Sequence, residues 1–191
     1  MRVIAGSCKG RRLSPPRWAG LRPTSDRLRE TLYGILGDGV IGRRVLDGCA
    51  GTGAVGIEAL SRGAIHVVFV DQDPRAVALI RRNVATCGLI DRCAIVRGTL
   101  PDALGRLGKS RFDLVLLDPP YGGKGIGAIL TATAGYLETG GLLVLERAHR
   151  QDLVDSPGLE VLRSVRAGDS VLDFFTHSTK SSVHESVTRR T

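Results

Sequence analysis

No apolar run in this 191-residue chain reaches 18 residues, the length a membrane-spanning helix needs. The N-terminus, M-R-V-I-A-G-S-C-K-G-R-R, lacks the apolar core of a secretory signal. Cysteine is sparse. Cys8, Cys49, Cys87 and Cys93 form no C-x-x-C pair, and no cluster of Cys and His accompanies them, so zinc-ligand spacing is missing. A reduced, cytoplasmic chain without membrane partner or metal is expected. No internal repeat is present, and 191 residues correspond to one domain able to bury its own core.

Acidic residues are missing from one region in particular. Residues 1–22 carry Arg2, Lys9, Arg11, Arg12, Arg17 and Arg22 and no Asp or Glu. Residues 23–176 are balanced, with 18 basic and 18 acidic side chains, so the net charge of +8 sits at the ends. A basic arm on a neutral body suits a polyanionic partner. The organisation expected is a basic hairpin arm over 1–22, a body over 23–176 and a polar, disordered tail over 177–191.

The pattern along the chain is regular. R-V-I-A-G (2–6) and R-R-L-S (11–14) read as a short hairpin ended by Pro15 and Pro16. A helix follows Thr24 or Ser25 as cap, with Leu28, Leu32, Ile35 and Leu36 on one face. Strands are expected at 44–49, 66–71, 93–98, 112–118 and 141–147. Helices are expected at 54–62, 74–87 and 126–137, with a short one after Thr99. Apolar strands alternating with helices predict a mostly parallel α/β sheet covered on both faces. Strands at 160–166 and 170–176, joined by A-G-D, predict a closing antiparallel hairpin.

Two motifs carry chemistry. G-T-G-A-V-G (51–56) follows the strand at 44–49 and opens a helix, and Asp71 ends the next strand 20 residues after Gly51. That arrangement holds an adenosine-containing cofactor, with the acid on the ribose diol. A tight turn whose glycines serve packing alone is the plain alternative. Asp47, four residues before Gly51, suits the cationic sulfonium and amine of S-adenosylmethionine and would repel a pyrophosphate. The second motif, L-D-P-P-Y (117–121), ends the fourth strand of the body. The lone pair of an exocyclic base amine is delocalised into the ring. Two acceptors placed out of the ring plane turn that lone pair toward a methyl donor. Asp118 supplies one and the Pro119 carbonyl the other. Pro119 and Pro120 bring no N–H and stiffen the loop, and Tyr121 can stack on the extruded base. A nicotinamide oxidoreductase would have no use for this string. A DNA adenine-N6 methyltransferase would use it, but needs a DNA-reading segment for which 191 residues leave no room. A non-catalytic RNA-binding protein on this fold would bind cofactor without transferring a methyl group.

R-V-I-A-G with K-G-R-R-L, L-R-P-T-S-D-R-L-R-E-T-L (21–32), L-D-G-C-A-G-T-G-A-V-G-I-E-A-L-S-R-G-A (46–64), V-D-Q-D (70–73) and D-P-P-Y together resemble the bacterial 16S ribosomal RNA guanine-N2 methyltransferases. The resemblance runs from residue 2 to about 176 and is most specific at R-P-T-S-D-R-L-R-E. It implies a Rossmann-like class I methyltransferase fold of seven strands, S-adenosylmethionine as cofactor, 16S RNA or the 30S subunit as partner, and a basic N-terminal hairpin on the RNA; a monomer is expected. Carried over by residue, cofactor contacts fall on Asp47, Gly48, Ala50, Gly51, Thr52, Gly53, Asp71, Gln72, Thr99, Leu100 and Asp118. The catalytic string is Asp118, Pro119, Pro120 and Tyr121. RNA contacts fall on Arg2, Lys9, Arg11, Arg12, Arg17, Arg22, Arg27 and Lys124. Cys49 stands where relatives often carry an aromatic residue, and is read as packing. Thr99 stands where many carry an acid or amide.

Overall fold

Leu46 and Val45 are adjacent in sequence and lie in different hydrophobic clusters, one on each face of a seven-stranded sheet. The computed structural model describes residues 1–21, 23–119 and 125–178. Its strands are β1 (Arg44–Gly48), β2 (His66–Asp71), β3 (Cys93–Arg97), β4 (Phe112–Leu117), β5 (Leu137–Ala148), β6 (Leu159–Ala167) and β7 (Ser170–His177). Their order is β3-β2-β1-β4-β5-β7-β6. The first five pair in parallel, and β7 runs antiparallel to both β5 and β6. This is the seven-stranded α/β sheet expected. The two-residue period of a strand sends Val45, Val67, Phe69 and Leu114 to one cluster and Leu46, Val68, Val70 and Val115 to the other.

Helices α1 (Asp26–Leu36), α2 (Ala54–Ser61) and α3 (Pro74–Cys87) feed the first cluster, and α4 (Ile126–Ala134) the second. Ser25 caps α1, its hydroxyl accepting from the Leu28 amide at 3.1 Å. Leu28 and Leu32 are buried; Ile35 and Leu36 are partly covered. Two expected ends shift by three residues or more. The helix from Ile126 stops at Ala134, and β5 begins at Leu137 rather than 141. The sheet takes this stretch, because the Phe112 amide donates to the Tyr136 carbonyl at 2.9 Å and Phe112 pairs with Leu137. The short helix after Thr99 is a 3-10 turn over Asp102–Leu107.

The N-terminal hairpin forms, but it is short: Arg2 bridges Arg12 antiparallel, and the Val3, Gly10 and Leu13 amides donate to the Arg11, Val3 and Met1 carbonyls at 3.0, 2.9 and 3.2 Å. The segment is nevertheless built into the body. Val3, Cys8 and Leu13 are buried in the first cluster. The fully buried Glu58 carboxylate accepts the amides of Ile4 and Ala5 at 2.8 and 2.9 Å. It also receives Arg29 at 3.3 Å and Arg62 at 2.8 Å. Arg29 donates on to the Arg2 carbonyl and to Asp26. The polar outside of the arm hid this from the sequence pattern. The expected tail lies outside the described residues beyond Ser178.

Candidate active site

The chain runs outward from β1 to β2 and β3, then crosses back to β4 on the other side of β1. The strand order reverses between β1 and β4, and a crevice opens beyond the carboxyl ends of the strands at such a point. Here it is a cleft of about 670 Å³, within the range of small-molecule sites. Ala50, Gly51, Thr52, Asp71, Gln72, Thr99, Leu100, Asp118 and Pro119 all line it. These residues come from the ends of β1, β2, β3 and β4, which are neighbours in the sheet and well separated in sequence.

The G-T-G-A-V-G turn is shaped from both sides. Gly51 has φ of 56°, in the region favouring glycine, and its amide donates to Asp71 Oδ2 at 2.8 Å. The second oxygen of Asp71 accepts the Asp73 amide at 2.9 Å. Asp71 therefore locks two loops while its carboxylate faces the cleft. The third glycine, Gly56, is required by space: a Cβ there would lie 2.4 Å from Phe69 and 2.8 Å from Asp47 Oδ2.

Three expected cofactor contacts, Asp47, Gly48 and Gly53, sit beneath the cleft rather than on its wall. Asp47 is buried, and its Oδ2 accepts the Gly56 amide at 2.8 Å in the first turn of α2. There the free amides of a helix N-terminus attract a carboxylate. Gly48 leaves room for Leu117 and Leu100, and Gly53 for Ile80.

Asp118 meets the strap that precedes α1. The Thr24 hydroxyl donates to Asp118 Oδ2 at 2.9 Å. Glu146, one place beyond Leu145 on β5, sits beside Asp118, because Leu117 pairs with Leu145. The Ser170 hydroxyl donates to Glu146 Oε1 at 2.9 Å. Desolvation in the cleft and the Glu146 charge push Asp118 up to about 7, against the pull of the Thr24 bond. Burial raises Asp47 well above the usual carboxylate range, and the nearby Asp118 and Asp71 add to it. Of the three acids, Asp71 and Asp118 line the cleft, and Asp47 lies buried below them. Burial, Asp71, Asp118 and Asp47 push the Cys49 thiol up to about 12, so it stays protonated and is no nucleophile.

Pro120, Tyr121, Arg22 and Lys124 lie outside the described residues. Arg2, Lys9, Arg11, Arg12, Arg17 and Arg27 are exposed, and Arg11 also bonds the Thr86 carbonyl at 2.9 Å. Sequence reasoning missed part of the cleft. Trp18, Ala19, Gly20, Leu21, Pro23 and Thr24 line it from above, with Ile126, Ile129, Glu146 and Ser170 at the β4–β5 end. The run P-P-R-W-A-G-L has no periodicity that would place it there. Among the described residues, no group of His, Cys, Asp and Glu could hold a metal ion, and no helix is long and apolar enough to cross a membrane.

A family model described as conserved hypothetical protein 95 matches residues 1–176. "Putative rRNA methyltransferase YlbH" of Bacillus subtilis is 38% identical over 162 residues, covering 83% of this chain and 88% of that one. "Ribosomal RNA small subunit methyltransferase D" of Escherichia coli is 35% identical, covering 76% of this chain and 71% of that one. A solved structure described as a putative methyltransferase, yhhF, from Escherichia coli superposes with a TM-score of 0.81 at 29% identity. It spans 94% of this chain and 99% of that one.

Proposed function

Because the chain belongs to the conserved hypothetical protein 95 family, we propose that it is a ribosomal RNA methyltransferase. It moves a methyl group from S-adenosylmethionine to the exocyclic N2 amine of a guanine in 16S RNA. The observation that carries this reading is Asp118, at the head of D-P-P-Y, facing the same cleft as the Gly51 turn and Asp71.

The residues present fit the cofactor. The cleft holds a glycine turn with its amide held by Asp71, and the carboxyl groups of Asp71 and Asp118 on its wall suit the cationic sulfonium and amine of the cofactor. S-adenosylmethionine supplies an electrophilic methyl group on a cationic sulfur. Asp71, Gln72 and Thr99 lie at the β2–β3 end, where they suit the ribose and adenine. Asp118 lies at the β4 end, where the amine must sit.

Asp118 and the Pro119 carbonyl accept the two N–H groups of the amine and turn its lone pair toward the methyl group. As the new N–C bond forms and the methyl–sulfur bond breaks, its electron pair staying on sulfur, positive charge grows on nitrogen. Asp118 opposes that charge at no cost of reorganisation, because Thr24 already fixes it. The proton released afterwards can pass to Asp118, whose basicity burial and the Glu146 charge raise. No stronger base is needed.

Labelled S-adenosylmethionine, naked 16S RNA and assembled 30S subunits provide the test. The expected product is N2-methylguanosine in one of the two RNA forms, identified by mass spectrometry of nucleosides. Label on adenine, or cofactor binding without transfer to either RNA form, would overturn the reading.

A further inference from the structure

Trp18, Leu21 and Thr24, which precede α1, stand over the cleft in the order of the strands below them. Trp18 stands at the β2 side. There the Arg75 guanidinium lies 5.1 Å from the centre of its ring. Arg75 is held in turn by Asp73, through its amide at 2.8 Å and its side chain at 2.7 Å. Asp73 caps α3 two residues after Asp71. Leu21 stands over the turn that follows β1, close enough that a Cβ on Gly51 would lie 3.1 Å from its Cδ1. Thr24 reaches Asp118 at the end of β4. The strap is thus fixed at three levels, and its aromatic ring hangs over the end that carries Asp71, Gln72 and Thr99.

We propose that Trp18 is the outer wall of the adenosine subsite, stacking its indole on the nucleoside of the bound cofactor. This rests on the reading of the cleft as an S-adenosylmethionine site and adds a residue to it. An adenine presents a flat π face that an aromatic ring covers without hydrogen bonds. Val70, Ala76 and Leu100 also line this end, but none of them offers an aromatic face. Arg75 lies over one face of the ring in a cation–π contact, which leaves the other face for the nucleoside. The ring is only partly covered in the protein, which leaves surface for a ligand to bury.

Trp18 is the single tryptophan of the chain, so its emission reports this subsite alone. S-adenosylhomocysteine and 5′-methylthioadenosine, which lacks the amino-acid part, are titrated into the full chain by calorimetry and by tryptophan fluorescence. Both ligands are expected to change the emission along the calorimetric isotherm. Trp18→Ala should weaken both by about tenfold or more, and Trp18→Phe should keep most of the affinity. Thermal melting of each variant without ligand checks the fold. Three results separate the possibilities. If wild type binds neither ligand, the cofactor reading itself falls. If both bind with unchanged emission and Trp18→Ala is neutral, Trp18 is not the wall. If Trp18→Ala weakens S-adenosylhomocysteine but not 5′-methylthioadenosine, the indole covers the amino-acid end and the assignment to adenosine is wrong.

Discussion

The Thr24 hydroxyl donates a 2.9 Å hydrogen bond to Asp118 across 94 residues of sequence. It ties the strap before α1 to the residue that ends β4. One carboxylate oxygen is thereby fixed from a second element. Preorganisation of this kind is what makes an acceptor effective in a transition state.

Asp118→Ala is expected to lower single-turnover methylation by at least about 100-fold, about 3 kcal/mol of transition-state stabilisation. Affinity for S-adenosylhomocysteine should stay within a few-fold, because the nucleoside end is untouched. Calorimetry and a single-turnover assay on the same preparation measure the two quantities. Turnover near the wild-type value would remove Asp118 from the mechanism.

Methylation should depend on pH through this same group. Asp118 is pushed up to about 7 by desolvation first and the Glu146 charge second. Below that pH it is protonated and loses both the negative charge that opposes the cation forming on nitrogen and the capacity to take the released proton. Activity should therefore fall about tenfold per unit below pH 7 and level off above it. Glu146→Gln removes a neighbouring negative charge and should move the midpoint to lower pH. Thr24→Val removes the bond that favours the ionised form and should move it higher. Carboxyl titration by NMR in the free protein, alongside the rate profile, tests both signs. A midpoint that moves the same way in both variants would contradict this electrostatic account.

Asp71→Ala should weaken cofactor binding by about 2 kcal/mol or more, because a charge-assisted bond to the ribose is removed. The structure adds a second cause, since the amides of Gly51 and Asp73 are left without their acceptor. Hydrogen exchange at those two amides should rise in the unliganded variant. Unchanged exchange with weakened binding would assign the whole effect to the ligand.

Removal of the arm should damage the fold. Deleting residues 1–14 strips Val3, Cys8 and Leu13 from the core and takes away hydrogen-bond partners of Glu58 and Arg29. Glu58→Ala alone should cost about 3 kcal/mol, because it leaves a buried guanidinium with one carboxylate fewer. Thermal melting is the measurement, and a melting temperature within a degree or two of wild type would refute it. For RNA the better variants replace the exposed Arg2, Lys9, Arg11 and Arg12 by Gln and keep the buried face. Replacing a cation that neutralises one phosphate should flatten the slope of log affinity against log salt by about 0.7. Parallel slopes would show that the arm does not grip RNA.

Much of the sheet was legible because strands and helices write their periods locally. F-D-L-V-L-L and H-V-V-F-V-D are buried on both faces and carry little else. Gly51, Asp71 and Asp118 were legible too, since each follows or ends a strand and the strands of a parallel sheet end on one side. The extent of β5 was not legible. Glu138, Thr139 and Gly140 are exposed and look like loop, and only pairing with β4 makes the stretch sheet.

The sequence by itself determined which elements form and which acids and glycines stand at their ends, because propensity, capping and apolar period act over a few residues. It also determined that cations concentrate in the first 22 positions. Only the tertiary structure decided that Asp47 turns under α2 to meet Gly56, that Glu146 stands beside Asp118, and that the basic arm is anchored on Glu58. It alone laid Trp18, Leu21 and Thr24 across the cleft. These relationships join residues far apart in the chain through burial and shared hydrogen bonds. Their free energy exists only once the sheet has brought the partners together, and no local pattern of residues encodes it.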